Sequence, residues 1–276
     1  MTVKSLLIIS SVIDNFVPMS SILFEIRDQI AFIIFNRPEK LNSFTREMAL
    51  LFQNTLDECA SLHEVRAVYL TGAGKAFSAG QDLAEVTDPK GPGLTNILRE
   101  QYNPIVTRIR NLPKPVVAAV NGVAAGAGAN IALCCDIVVA AQSASFIQAF
   151  SKIGLIPDSG GTYFLPRLIG WQKATAIAML GDKISAVEAE RMGMVYKVYG
   201  NEEFEGASRA LTSVLAQLPT RALAFTKHAF NYSAANTLEA QLLLEDELQL
   251  KAAQSKDYAE GVRAFLEKRP AAFKGE

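Results

Sequence analysis

The chain has 276 residues, 50% of them apolar and 20% charged, with a formal net charge of −1. That length buries a large core, as one domain or one domain plus a helical appendage, and the composition excludes a disordered chain. The near-neutral charge argues against nucleic acid or an anionic membrane as the main partner.

The chain has two histidines, His63 and His228, and three cysteines, Cys59, Cys134 and Cys135, without metal-ligand or disulfide spacing. No metal site is therefore expected. The histidines read as structural or surface residues, and the thiols fit a reduced, cytoplasmic setting. Residues 6–12 form a short apolar run after Lys4, too short to span a bilayer and with no clean small-residue cleavage site. Residues 1–20 read as a disordered extension, or as sequence upstream of a natural start at Met19.

Residues 22–27 and 30–35 read as strands joined by the Asp28-Gln29 turn. Asn42 or Ser43 is placed to cap an amphipathic helix over 45–59, whose Met48, Leu51, Phe52 and Leu56 share one face. A strand over 65–71 follows and ends in Gly72-Ala73-Gly74. Strand, helix, strand implies a crossover and a parallel sheet. Residues 88–93 are loop-like and precede a helix over 94–112. Then come a strand over 116–120, a short buried helix over 125–134, and strands over 137–140 and 146–148.

The fold class is α/β, as a β-α spiral or a doubly wound sheet. From Ser185, which opens a capping box with Glu188, the pattern turns helical: 203–218, 221–232, 238–253 and 258–268. A core over 21–200 is thus followed by a helical region over 201–276, whose apolar faces cap the core or pack on another subunit.

Four segments can carry chemistry. The run Ala76-Phe77-Ser78-Ala79-Gly80-Gln81-Asp82-Leu83 is small enough for close backbone approach, and the Gln81 N–H can point at an oxyanion. Taken alone, it reads first as a tight turn between strand and helix. The run from Gly122 to Asn130 alternates glycines but lacks an acid at ribose-binding distance. It offers either N–H groups at a helix start or close helix–sheet packing.

Asp158, in Ile156-Pro157-Asp158-Ser159-Gly160-Gly161, is a lone acid between an apolar stretch and a helix start. It is a general acid/base or a helix N-cap, and the two roles compete for the same oxygens. Arg37-Pro38-Glu39-Lys40-Leu41-Asn42-Ser43 is a turn and cap, or a place where exposed backbone and Lys40 meet a nucleotide phosphate. Asp136 reads as structural.

Together these segments resemble the crotonase superfamily, the enoyl-CoA hydratase/isomerase family. The resemblance rests on 36–43, 77–83, Pro113-Lys114-Pro115-Val116, 119–126, Cys135-Asp136-Ile137 and the Asp158 motif, and runs from about Ser21 to Pro270. It implies a crotonase-like spiral of ββα units with a C-terminal helical trimerisation region, assembling as a homotrimer or a dimer of trimers. It also implies an acyl-CoA substrate, with coenzyme A part of that substrate and no separate cofactor, and in places a related hydratase as partner.

By position, the backbone N–H groups of Gln81 and Ala127 would form an oxyanion hole for the thioester carbonyl. Lys40, Leu41 and Asn42, with Ala79, Gly80, Asp82 and Leu83, match segments that bind coenzyme A. Gly126 and Asn130 join them along the acyl site, where Asn130 would hold an epoxide oxygen or a water.

The family's hydratases use two glutamates, whose positions fall on Asn130 and Phe150, and neither residue is a general base. Asp158 falls where family isomerases and a dehalogenase keep an aspartate. The strings around 149–158, 102–104 and 123–128 are similar to the subgroup that converts ring-1,2-epoxyphenylacetyl-CoA to oxepin-CoA and shifts Δ3 double bonds to Δ2. The expected activity is that of an acyl-CoA isomerase. A hydratase, a hydrolase of ring-derived CoA esters, and a catalytically weak structural partner in a degradation complex are the alternatives.

Overall fold

A computed structural model describes residues 20–276, so the readings made for residues 1–19 lie outside the described residues. Ten strands follow in chain order: β1 Ile22–Arg27, β2 Ile30–Phe35, β3 Ala67–Gly72, β4 Ala76–Ser78, β5 Val116–Val120, β6 Val123–Ala125, β7 Ile137–Ala141, β8 Ser145–Ile147, β9 Lys183–Ser185 and β10 Lys197–Tyr199. They form two sheets among the described residues. The larger has the order β1-β2-β3-β5-β7-β10 and the smaller β4-β6-β8-β9.

From β3 to β8, successive strands alternate between the sheets. In each pair β3/β4, β5/β6 and β7/β8 the first strand joins the large sheet and the second the small one. This two-strand step, repeated with a helix between, makes the fold a spiral rather than a single doubly wound sheet.

Within the large sheet only the β1–β2 hairpin is antiparallel; β2, β3, β5, β7 and β10 run parallel. Burial follows position. β5 lies between β3 and β7 and all five of its residues are buried, so Val-Val-Ala-Ala-Val reads as a continuous apolar run. The edge strand β1 alternates instead. The strands of the small sheet are three residues each, too short to register as alternation. Four short strands, β4, β6, β9 and β10, and the helix Trp171–Leu180 add to the elements expected, while the helix expected to start after Asp158 spans Gly161–Ile169.

The helix expected over 45–59 spans Arg46–Ser61, and its cap is Thr45, whose side chain accepts from the Met48 N–H. Asn42 does not cap it. Its amide bonds the Ala73 and Ala76 carbonyls at 2.9 and 2.8 Å and accepts from the Arg37 N–H at 2.8 Å.

The helix expected over 94–112 is one run with an interruption: an α turn at Gly93–Asn96, a π turn at Ile97–Tyr102, and an α-helix at Asn103–Asn111. Pro104 lacks the N–H that would bond the Glu100 carbonyl. The Gln53 amide takes that carbonyl instead, at 2.7 Å, and the Asn103 N–H reaches back to Leu98.

The C-terminal region holds helices Phe204–Gln217, Thr220–Ser233, Leu238–Ala253 and Lys256–Leu266, and the Ser185 cap forms with the Glu188 N–H. Asp136 is structural, as expected. It accepts from the Val116 N–H, Arg110 and Lys227, pinning the helix Thr220–Ser233 to the core. His63 and His228 are exposed and the three cysteines are buried and free. No helix among the described residues is long and apolar enough to cross a membrane. Among the same residues, no cluster of His, Cys, Asp and Glu forms a metal-binding set.

Candidate active site

The parallel strands β4 and β6 lie side by side, so the loops leaving their C-terminal ends are neighbours. One carries Ala79, Gly80 and Gln81, the other Gly126 and Ala127. Both donor residues follow a glycine with positive φ, +87° at Gly80 and +52° at Gly126. A side chain is strained in such backbone.

The loops also touch. A Cβ on Gly80 would lie 2.8 Å from the Ala125 oxygen and 3.3 Å from the Ala127 nitrogen, and one on Gly128 would lie 2.5 Å from the Ser78 oxygen. The glycines let the two turns close together. Among the described residues, neither the Gln81 N–H nor the Ala127 N–H has an acceptor. Two unspent backbone donors therefore meet in one place, which suits an oxygen that gains negative charge.

The segment with Lys40, Leu41 and Asn42 packs on the first of these loops. The Ala79 N–H donates to the Leu41 oxygen at 2.9 Å, the Ser78 hydroxyl to the Asn42 oxygen at 2.8 Å, and the Phe44 N–H to the Gly80 oxygen at 2.7 Å. Lys40, Leu41 and Leu83 are exposed along this rim.

Two residues expected to contact substrate have side chains committed elsewhere. Asn42 is fully buried, with its amide spent on the backbone as described. Asp82 caps the helix Leu83–Thr87 through the Ala84 N–H and pairs with Arg37 at 3.0 Å. Burial pushes the Asp82 carboxyl up, but the Arg37 guanidinium and the Ala84 N–H outweigh it and hold the carboxyl below its usual range.

Asp158 does not cap a helix. The N-cap of Gly161–Ile169 is Gly160, in left-handed backbone. Asp158 to Gly161 form a tight turn instead, closed by the Gly161 N–H on the Asp158 oxygen at 2.7 Å, with positive φ at Ser159 and Gly160. The competition between cap and acid is thereby removed. The carboxylate accepts one side-chain bond, from the Ser159 hydroxyl at 2.8 Å. Burial pushes this carboxyl above its usual range, against that hydroxyl and the backbone N–H of Asp158 itself. A half-buried carboxylate with a raised pKa is a stronger base than a free one, which suits proton exchange with carbon.

Asn130 corrects a second expectation. It is fully buried and both ends of its amide are used: Nδ2 donates to the Asp158 carbonyl at 2.8 Å, and Oδ1 accepts from Gln148 at 2.7 Å. Fully buried and held at both ends, it does not present its amide to an epoxide oxygen or a water. Asn130 lies one helical turn after Ala127, so it ties the Asp158 turn to the helix that carries one of the donors. Phe150 is buried, its ring 3.7 Å from where a Gly126 Cβ would be.

Glu85 and the Tyr102 hydroxyl, to which the sequence assigns no role, meet at the Gln81 side chain. Glu85, four residues after Gln81, could have been found by helical spacing. Tyr102 gave no local signal.

Comparison with known proteins places this geometry. The family model described as enoyl-CoA hydratase/isomerase matches residues 25–276. The 1,2-epoxyphenylacetyl-CoA isomerase of Escherichia coli is 46% identical over 94% of this chain and 100% of its own length. A Rhodobacter capsulatus protein named "Probable enoyl-CoA hydratase" is also 46% identical, over 92% of this chain and 98% of its own. The crystal structure of an enoyl-CoA hydratase from Bacillus anthracis superposes with a TM-score of 0.86 at 33% identity, covering 93% of this chain and 100% of that one. The chain is therefore an enzyme of the enoyl-CoA hydratase/isomerase family, with the crotonase fold.

Proposed function

We propose that this enzyme is an acyl-CoA isomerase. The thioester carbonyl lies between the N–H groups of Gln81 and Ala127. Asp158 takes a proton from the α-carbon, and the charge that develops on the thioester oxygen is met by the two donors. In a Δ3 to Δ2 shift the same carboxyl returns the proton to C4, so one acid/base group completes the cycle. The substrate of this reading is ring-1,2-epoxyphenylacetyl-CoA, which goes to oxepin-CoA, with 3-enoyl-CoA esters as a second class.

The observation that carries the reading is the pair Asn130 and Phe150. The first is an amide spent on internal bonds and the second is a buried ring. Neither can activate a water, and Asp158 is left as the one carboxyl whose pKa is raised beside the donors. The names of the E. coli relative and of a Streptococcus mutans trans-2-decenoyl-[acyl-carrier-protein] isomerase, 35% identical, support isomerisation. The hydratase name of the R. capsulatus relative supports addition of water as a second reading.

Lys40, Leu41, Ala79, Gly80 and Leu83 supply the coenzyme A rim through backbone and exposed side chains, and Gly126 the floor beside Ala127. Coenzyme A enters as part of the substrate and no separate cofactor is required. Exposed Leu238, Leu242, Leu243, Phe265 and Leu266 on the C-terminal helices support a homotrimer or a dimer of trimers. A related hydratase as a further partner and the cytoplasm as the setting belong to the same proposal.

The test is a mass-spectrometric assay in water labelled with heavy oxygen, using a 3-enoyl-CoA and the enzymatically made epoxide. Isomerisation gives product of unchanged mass. A product heavier by one labelled water overturns the reading.

A further inference from the structure

Of the two donors in the proposed oxyanion hole, Gln81 has a side chain anchored at both ends of its amide. Nε2 donates to Glu85 Oε2 at 2.9 Å, and Oε1 accepts from the Tyr102 hydroxyl at 2.8 Å. Glu85 is itself held, because its two carboxylate oxygens accept from the Arg46 N–H at 2.8 and 3.1 Å. A line of bonds thus runs from the first turn of the helix Arg46–Ser61, through Glu85 and Gln81, to the π turn Ile97–Tyr102.

That π turn, which ends two residues before Pro104, carries Tyr102. The Tyr102 ring packs against Phe44 at 6.0 Å, in a cluster with Phe35 and Phe52, and the residue is 1% exposed. A phenylalanine would fill the same space. The buried hydroxyl has a single hydrogen-bond partner among the described residues, Gln81. A buried hydroxyl costs free energy unless it is bonded, so the bond to Gln81 is what distinguishes tyrosine from phenylalanine at this position.

Burial, then the charges of Asp158 and Glu85, push the phenol well above its ordinary value, so it remains a neutral donor. The Gly80–Gln81 peptide needs such support. Gly80 has the positive φ that gives glycine the widest conformational freedom. The Phe44 N–H holds the carbonyl end of that peptide. The N–H end is held through the Gln81 side chain.

Taking the Gln81 N–H as an oxyanion donor, as above, we propose that Tyr102 and Glu85 clamp the Gln81 side chain and so hold its backbone N–H in the oxyanion-binding position. Tyr102 is then a positioning residue for enolate formation. Stabilisation by fixed dipoles depends on their being in place before charge develops, so the clamp acts on kcat rather than on binding.

The probe is a dimethylaminocinnamoyl-CoA, a conjugated thioester whose absorbance moves to the red when its carbonyl is polarised. It reads the donors without turnover. The wild-type protein shifts the bound probe to the red. Tyr102→Phe binds it with a Kd within about twofold, shows a smaller shift, and loses about tenfold in kcat at unchanged KM. Gln81→Met gives the same loss, and the double variant is no worse than either alone, because both remove one unit. Glu85→Gln, which keeps an acceptor, retains the shift, whereas Glu85→Leu loses it.

A wild-type red shift that persists in Tyr102→Phe overturns the clamp, as do losses that multiply in the double variant. Absence of any shift in the wild-type protein overturns the donor reading itself, and the clamp with it.

Discussion

The Asn130 side chain donates to the backbone carbonyl of Asp158 at 2.8 Å. This bond crosses from the helix that begins at Ala127 to the turn that holds Asp158, whose carboxyl pKa is raised. It fixes the distance between the place where a proton leaves carbon and the place where negative charge arrives. Asn130→Ala should therefore lower kcat about tenfold with a small effect on KM, since misplacement of a catalytic group by about an ångström has effects of that order. It should also cost about 1–3 kcal/mol of stability, because the Gln148 amide loses its acceptor in a buried site. Steady-state kinetics and urea unfolding of the same variant check both.

The turn and the strut are packed to the limit at Gly161. A Cβ there would lie 2.3 Å from Asn130 Nδ2. Gly161→Ala has to displace the Asn130 amide or the Asp158 turn, and activity should fall at least as far as in Asn130→Ala. Gly80→Ala should weaken the donors instead, because its φ of +87° and the Ala125 oxygen at 2.8 Å both resist a side chain. Its loss should appear in kcat while the bound acyl-CoA remains detectable by isothermal titration.

The raised pKa of Asp158 makes two pH statements. The base form is needed to take a proton, so kcat/KM should rise with pH along a limb displaced above the ordinary carboxylate value. For stability the sign is opposite. A carboxyl whose folded pKa lies above its unfolded value binds more protons folded than unfolded between the two. Stability is then lost as pH rises through that window. Asp158→Asn should therefore melt higher than wild type at neutral pH, with the difference vanishing in acid below both values. Thermal unfolding across pH measures it.

The helical region should depend on Asp136. Lys227 is 8% exposed and its amino group bonds the Asp136 carboxylate at 2.8 Å, with Arg110 on the other oxygen. Burial pulls the Lys227 pKa down, and Asp136 opposes that pull. Asp136→Ala leaves two cations without their carboxylate in a mostly buried site and should cost about 3–5 kcal/mol. Urea unfolding followed by circular dichroism tests it.

Features that depend on local pattern are legible in the sequence. The helix at Arg46–Ser61 showed in its apolar spacing, the buried strand β5 in its unbroken apolar run, and the two donor turns in their glycines. The parts that were not legible depend on contacts across the chain. Asn42 has the composition of a cap, but carbonyls more than thirty residues away draw its amide inward. Asp158 also resembled a cap until the turn through Gly160 freed its carboxylate. Asn130 reads as a pocket residue by position, and only the bonds to Asp158 and Gln148 show it is a strut. Tyr102 lies 21 residues from Gln81, and the π turn that aims it has no apolar period of its own.

The central claim is that Asp158 exchanges an α-proton while the donors hold the carbonyl. It is tested most directly with a saturated acyl-CoA that cannot isomerise, incubated in deuterium oxide and followed by proton NMR at C2. The wild-type enzyme should exchange the C2 protons for deuterium. Asp158→Asn should bind the same ester with near-normal affinity by isothermal titration and leave those protons in place. Exchange by Asp158→Asn at the wild-type rate would contradict the account and move the proton transfer to another group.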